Sequence, residues 1–234
     1  MDINLNGIII IVGNYGSGKT EVAINLAVDR KNAGLDVRLA DLDLVNPYFR
    51  TREARAVLAR LGVDLVIPTT QYLQADLPML IPQIAGMIRR PSELTLLDVG
   101  GDEVGATVLA SLADVFKGQK PRMLQVVNPF RPYTDTVAGC AKIGSEIEAA
   151  SKLPIDGIIG NANLIDETEP EHIYDGYKFV QKYAKQSGLP LEFITLAADM
   201  LTQVDVSAFN CPVLNIRRQL VPPWKKATRF NGEK

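Results

Sequence analysis

Several things are scarce in this 234-residue chain, and each scarcity closes off a class of protein. It has two cysteines, Cys140 and Cys211, and no C-x-x-C or Cys/His cluster, so neither a disulfide framework nor a zinc site is expected. Its one histidine, His172, sits among Glu169, Glu171 and Asp175 at an expected helix start. That setting reads as a surface residue, because a catalytic histidine needs a partner to orient it. Charge of either sign is not in excess. A formal net charge of −2 argues against a nucleic-acid binder working by bulk charge. The apolar run Ile8 to Val12 is far too short to span a membrane. No basic leader or cleavage site precedes it, so no secretory signal is expected and a reducing, cytoplasmic setting is.

What remains is an ordinary globular composition arranged as alternating apolar runs and amphipathic stretches. The runs predict strands at Gly7–Gly13, Val37–Asp43, Val63–Ile67, Leu94–Val99, Met123–Asn128, Gly157–Asn161, Leu191–Leu196 and Val213–Ile216. Helices are expected near Lys19–Asn32, Thr51–Leu61, Leu77–Arg89, Thr107–Phe116, Thr134–Ser151 and Pro170–Ser187. Most of the strands are apolar throughout, which marks strands covered on both faces. Strand–helix alternation then implies an α/β fold: a single doubly wound, mainly parallel sheet with helices on both faces. No repeat, low-complexity tract or linker interrupts residues 1–216. Residues 217–234 form a tail with six basic residues, Pro222, Pro223, the lone Trp224 and Phe230. The tail is expected to lie as a strap on the domain or to dock on a partner or anionic surface.

The first strand runs into "GNYGSGKT", Gly13-Asn14-Tyr15-Gly16-Ser17-Gly18-Lys19-Thr20, which fits G-x-x-x-x-G-K-[ST] at every fixed position. Such a turn wraps a phosphate with consecutive backbone N–H groups, and the following helix adds its N-terminal partial positive charge. Lys19 is expected on the β- and γ-phosphates, and the Thr20 hydroxyl on Mg2+. A dinucleotide fold is the competitor, but its glycines run G-x-G-x-x-G, and it gives a Lys-Thr pair no role.

A phosphate loop of this kind also needs an acid at the tip of a neighbouring strand. "LTLLDVGGDEVG" supplies Asp98, followed by Gly101 in a D-x-x-G step. A third element, "ADLDLVNPYFRTRE", holds Asp41 and Asp43, which are expected on opposite sides of the sheet. Asp43, nearer the carboxyl end where ligands sit, is chosen to face the phosphates, and Asp41 is read as structural. Arg50 and Arg52 follow and are candidates to neutralise γ-phosphate charge. No N-K-x-D motif appears, which tilts the base toward adenine.

Together these elements resemble the MinD/ParA/ArsA and nitrogenase iron-protein class of P-loop ATPases, the CobQ/CobB/MinD/ParA family within the SIMIBI class. "DLDLVNP" is similar to the first switch, whose aspartate positions the attacking water and aligns with Asp43. "DVGGDEVG" is similar to the iron-protein second switch, which maps Asp98, Gly101 and Asp102. "VVNPFRPYTDT" resembles an Asn-Pro segment of MinD through Asn128, Pro129 and Asp135, and "IIGNAN" resembles the strand end whose asparagine, here Asn161, reads adenine. The resemblance implies ATP/ADP and Mg2+ as ligands, with Thr20, Asp98 and Asp43 on the metal side and Asp43, Lys19 and Asp102 in catalysis. Gly13 to Thr20, Gly101 and Asn161 would bind the nucleotide.

The class carries a second lysine just after the first loop glycine, where this chain has Asn14. That lysine reaches across a dimer, so a homodimer here is expected to depend less on ATP. Val104 and Gly105 occupy the stretch that holds the iron protein's cluster cysteine, so no cluster is implied. The expected activity is Mg-dependent ATP binding with slow hydrolysis, used as a switch or accessory ATPase on a protein partner. The alternative is an ATP-dependent small-metabolite kinase or amide-forming ligase.

Overall fold

A computed structural model describes residues 1–43, 51–67, 82–101, 103–221 and 225–230, with the side chains of Arg52, Glu103, Val104 and Ala106 left out. The apolar runs form strands β1 (Gly7–Gly13), β2 (Val37–Leu42), β3 (Asp64–Val66), β4 (Leu94–Val99), β5 (Arg122–Val127), β6 (Gly157–Gly160), β7 (Leu191–Ala197) and β8 (Val213–Ile216). They make one parallel sheet in the order β3-β2-β4-β1-β5-β6-β7-β8. The helices are α1 (Lys19–Asn32), α2 (Arg55–Arg60), α3 (Pro82–Arg89), α4 (Glu103–Ser111), α5 (Val137–Ser151) and α6 (Pro170–Ser187). This is the α/β architecture of a phosphate-loop nucleotide-binding fold.

The central strand shows why the sheet needs two covered faces. Successive side chains of a strand point to opposite faces. Ile9 and Ile11 accordingly join a core with Val22, Leu26, Leu39 and Leu58, while Ile8, Ile10 and Val12 join another with Ile84, Ile88, Leu109 and Phe116. A third cluster gathers Ile158, Val180, Tyr183, Ile194 and Phe209 at the α6 end.

Helix boundaries depart from expectation where local hydrogen bonding intervenes. The stretch expected to be helical from Thr51 to Leu61 opens as a 3-10 turn, Thr51–Ala54, before α2 begins. Helix α5 starts at Val137, three residues later than expected, because Thr136 is extended and its side chain accepts the Gly139 N–H. Helix α4 starts earlier, at Glu103, and ends at Ser111. Of the helix expected from Leu77, residues 77–81 lie outside the described residues.

The tail behaves as a strap. Leu220 and Phe230 are buried and belong to the same core cluster as α1. The Arg217 N–H donates to Asn25 Oδ1 at 2.8 Å, and the Thr228 N–H returns to the Arg218 carbonyl at 2.8 Å. Pro222, Pro223 and Trp224 lie outside the described residues.

Candidate functional site

At the carboxyl edge of the sheet, β1 ends in Gly13 and α1 begins at Lys19, so the turn between them is short and tightly bent. Gly18 caps the helix with φ +88°, and a Cβ there would stand 2.2 Å from Asn161 Nδ2. Only glycine fits that backbone in that space. Lys19 is buried, and its Nζ donates to the Asn14 carbonyl at 3.0 Å. Ser17 Oγ is buried with no hydrogen-bond partner among the described residues. The outside of the turn is braced by other loops. Asn14 Nδ2 donates to the Pro132 carbonyl at 2.8 Å and Arg131 Nε to the Gly16 carbonyl at 3.1 Å. Asn161 Nδ2 donates to the Ser17 carbonyl at 2.6 Å.

Asp98 closes β4 beside this turn and is fully buried. Thr51 Oγ1 donates to its Oδ2 at 2.6 Å, and the Thr20 side chain and the Lys19 charge also act on it. Its Oδ1 is buried with no hydrogen-bond partner among the described residues. Burial first, and then the neighbouring Asp41 carboxylate, push the Asp98 carboxyl up from 3.8 to about 7, against the smaller pull of Thr51, Lys19 and Thr20. Gly101 packs over the same spot: a Cβ there would lie 2.5 Å from Lys19 Nζ and 2.9 Å from the Tyr15 N. The D-x-x-G glycine is therefore needed for its lack of a side chain. Hard oxygens from Asp98 and Thr20 beside a phosphate cradle suit Mg2+, which keeps few protein ligands and takes the rest from phosphate and water. No group of three His, Cys, Asp or Glu residues capable of caging a metal exists among the described residues.

One expectation is overturned. Alternation along the strand does not put Asp41 and Asp43 on opposite faces, because residues two apart on a strand share a face, and Asp43 lies just past the end of β2. Asp41 lies in register with Asp98 on the adjacent strand, and its Oδ1 accepts the Asp43 N–H at 3.1 Å. Asp41 thus holds the backbone of Asp43 and also raises the proton affinity of Asp98. Asp43 itself follows the end of β2 and is buried.

Asn161 has a bracing role that its motif did not announce. Besides its bond to Ser17, its Oδ1 accepts the Thr195 hydroxyl at 2.5 Å, tying β6, β7 and the phosphate loop together. An amide has two N–H donors, and this pair of bonds uses one. His172 is structural: its Nδ1 accepts the Glu169 N–H at 3.0 Å in a capping box, and its ring meets Phe130 edge-on. Asp102 and Arg50 lie outside the described residues, as does the side chain of Arg52. Thr51 was missed. A threonine eight positions after Asp43 carries no motif of its own, and only the folded chain sets its hydroxyl on Asp98.

No family model matches the chain, and no curated protein matches it. Solved structures match it by fold. The cell division protein FtsY of Thermotoga maritima is 19% identical, aligned over 84% of this chain and 65% of its own, with a TM-score of 0.57. The signal recognition particle 54 kDa protein of Aeropyrum pernix, solved with GDP, is 21% identical over 80% of this chain and 40% of its own, with a TM-score of 0.52. A nucleotide-binding protein of Archaeoglobus fulgidus, solved with ADP, is 20% identical over 84% of both chains, with a TM-score of 0.51. The chain spans about three fifths of the length of the FtsY chains it matches. These likenesses establish the fold alone, an α/β parallel sheet of the kind found in P-loop nucleotide-binding proteins.

Proposed function

We propose that the chain binds Mg-ATP at the loop from Gly13 to Thr20 and hydrolyses it slowly, acting as a switch or accessory ATPase on a protein partner. The observation that carries this reading is the buried, unpartnered Asp98 Oδ1 set beside Lys19 and Thr20. An uncompensated buried carboxylate oxygen is costly, and a phosphate-bound cation is its natural complement. Thr20 and Asp98 would hold the ion, which neutralises charge on the terminal phosphates. Lys19 would leave the Asn14 carbonyl for the β- and γ-phosphates. Asp43 would orient the attacking water, in the segment that begins the first switch, and Asp102 would belong to the second. Adenine is favoured because Leu164, third after Asn161, offers no carboxylate to the N–H donors of guanine. Asn14, held by Pro132 and the Tyr15 N–H within its own chain, supports a dimer that depends little on ATP.

Calorimetric titration with ATP, ADP and GTP, with and without Mg2+, tests the reading. Charge-assisted bonds to phosphate are worth about 1.5–3 kcal/mol each, so Lys19→Ala should weaken ATP binding by about ten- to a hundred-fold. Unchanged affinity in that variant removes the phosphate site altogether. Turnover stimulated by a small metabolite, and not by a protein, would favour the kinase or ligase alternative.

A further inference from the structure

Phosphate recognition leaves the nucleoside half of the ligand with Asn161 as its one expected contact, and a further residue for it can be assigned only if the site binds nucleotide as proposed. Strand order fixes the direction in which a nucleotide must run. Asp98, the candidate metal ligand, stands on β4 at one side of β1, so the terminal phosphates belong on that side. Strands β5 and β6 lie on the other side, and the sugar and base must leave the loop over their carboxyl ends. The N–H groups of a phosphate loop turn inward to the anion. Here the Gly16 and Ser17 carbonyls turn outward, to Arg131 and Asn161. Those two side chains therefore mark the edge that the nucleoside crosses.

Of the two, Asn161 is buried and bonded at both ends of its amide. Arg131 is different. It is half-buried, and among the described residues it makes no ion pair. Its bond to Gly16 uses Nε and leaves the flat face of the guanidinium and both Nη atoms to a ligand. Its backbone is fixed by a compact loop after β5. The Arg131 N–H donates to the Asn128 carbonyl at 3.2 Å, and the Thr134 N–H donates to the Arg131 carbonyl at 3.2 Å. The Thr134 hydroxyl donates to the Asn128 carbonyl at 2.7 Å. The neighbouring Pro132 carbonyl is in turn gripped by Asn14. A planar cation is thus held in place at the nucleoside edge of the phosphate loop.

We infer that Arg131 is a nucleoside-binding residue of this site, packing its guanidinium plane on the purine of the bound nucleotide. A guanidinium stacks on an aromatic face, and an ammonium cannot do so with the same geometry. The role is one of binding, away from the reacting phosphate.

The test uses the full chain and three probes: Mg-ATP, Mg-ADP and Mg-tripolyphosphate, the last a phosphate chain without a nucleoside. Arg131→Ala should weaken ATP and ADP alike by about tenfold and tripolyphosphate by clearly less, because for the bare phosphate chain it removes only the brace on the Gly16 carbonyl. Arg131→Lys, which keeps charge but not the plane, should recover only part of the loss. Two results would overturn the inference: unchanged nucleotide affinity in Arg131→Ala, or an equal loss for tripolyphosphate, which would place the charge on the phosphates. If the wild-type chain binds tripolyphosphate but neither nucleotide, both this inference and the nucleotide reading fail. Loss of binding in Lys19→Ala with no change in Arg131→Ala sinks this inference alone.

Discussion

The first turn of α1 touches two carboxylates, one half-buried and one fully buried, and they are treated in opposite ways. Glu21 faces the tail. Its carboxylate accepts the N–H groups of Gln219 at 2.6 Å and Leu220 at 3.0 Å, and Asn25 Nδ2 at 3.1 Å. Asp98 faces the same turn from β4, with Thr51 on one oxygen and, among the described residues, no hydrogen bond to the other. Burial raises the proton affinity of both groups. The protein itself surrounds Glu21 with donors, whereas at Asp98 it adds a second carboxylate, Asp41, in register alongside. A buried charge answered from within fastens the fold. A buried charge left half-answered, next to a phosphate cradle, is the mark of a site completed from outside.

The largest effect should come from splitting the aspartates of the site by role. Asp43→Asn should lower kcat by about 10²–10⁴-fold with ATP affinity little changed, because orienting water acts largely in the transition state. Asp98→Asn should weaken Mg-ATP binding and hydrolysis together. Asp41→Asn removes a charge beside Asp98 but keeps an oxygen that can accept the Asp43 N–H, so it should reduce kcat less than Asp43→Asn. Single-turnover and binding measurements on the three variants separate these signatures. An active Asp43→Asn beside an inactive Asp41→Asn would exchange the two assignments.

The same half-answered charge should show in stability. Free of Mg2+ and nucleotide, the folded chain keeps the Asp98 proton up to about pH 7, whereas the unfolded chain releases it near pH 3.8. Between those values the folded state binds the extra proton, so unfolding free energy falls as pH rises through the window and levels above it. Denaturant titrations in chelator from pH 4 to 8 should show this slope in the wild type and a shallower one in Asp98→Asn, where Glu21, also raised by burial, still contributes in the same direction. Asp41→Asn should move the upper end of the window to lower pH, since the like charge is gone. A slope identical in wild type and Asp98→Asn would show that Asp98 is ionised throughout.

Much of this comparison was legible in the sequence on one side only. The phosphate loop, its strand and helix, and the Asp98–Gly101 step are local patterns, and β1, α1, β4 and α6 emerge with the bounds expected from them. What the sequence could not carry are contacts between distant segments. Glu21 meets residues about two hundred positions away, Thr51 reaches Asp98 across 47, and Arg131 reaches Gly16 across 115. Glu21, Thr51 and Arg131 fill no fixed position of the motifs, so spacing gives no warning of what they touch. The facing of Asp41 was recoverable from strand periodicity alone, and the register with Asp98 makes it plain.

The smallest effect should lie on the side where the protein answers its own charge. Glu21→Ala removes the acceptor for two backbone N–H groups and leaves them in a largely buried seam, at a cost of about 1–3 kcal/mol of stability. Glu21→Gln keeps one acceptor oxygen and loses a charge whose burial is itself unfavourable, so it should cost less than the alanine variant. Both should loosen the strap, because Gln219 and Leu220 would lose their anchor while Leu220 and Phe230 still pack on α1. Hydrogen exchange should therefore quicken at the N–H groups of residues 217, 219 and 220 before it does in β1 or β4. Hydrolysis in either variant should stay within about twofold of wild type, since neither change touches a group proposed to meet phosphate or metal. A hydrolysis defect in Glu21→Gln as deep as that of Asp98→Asn would mean that the strap side and the metal side of α1 are one unit, and the contrast between the two carboxylates would collapse.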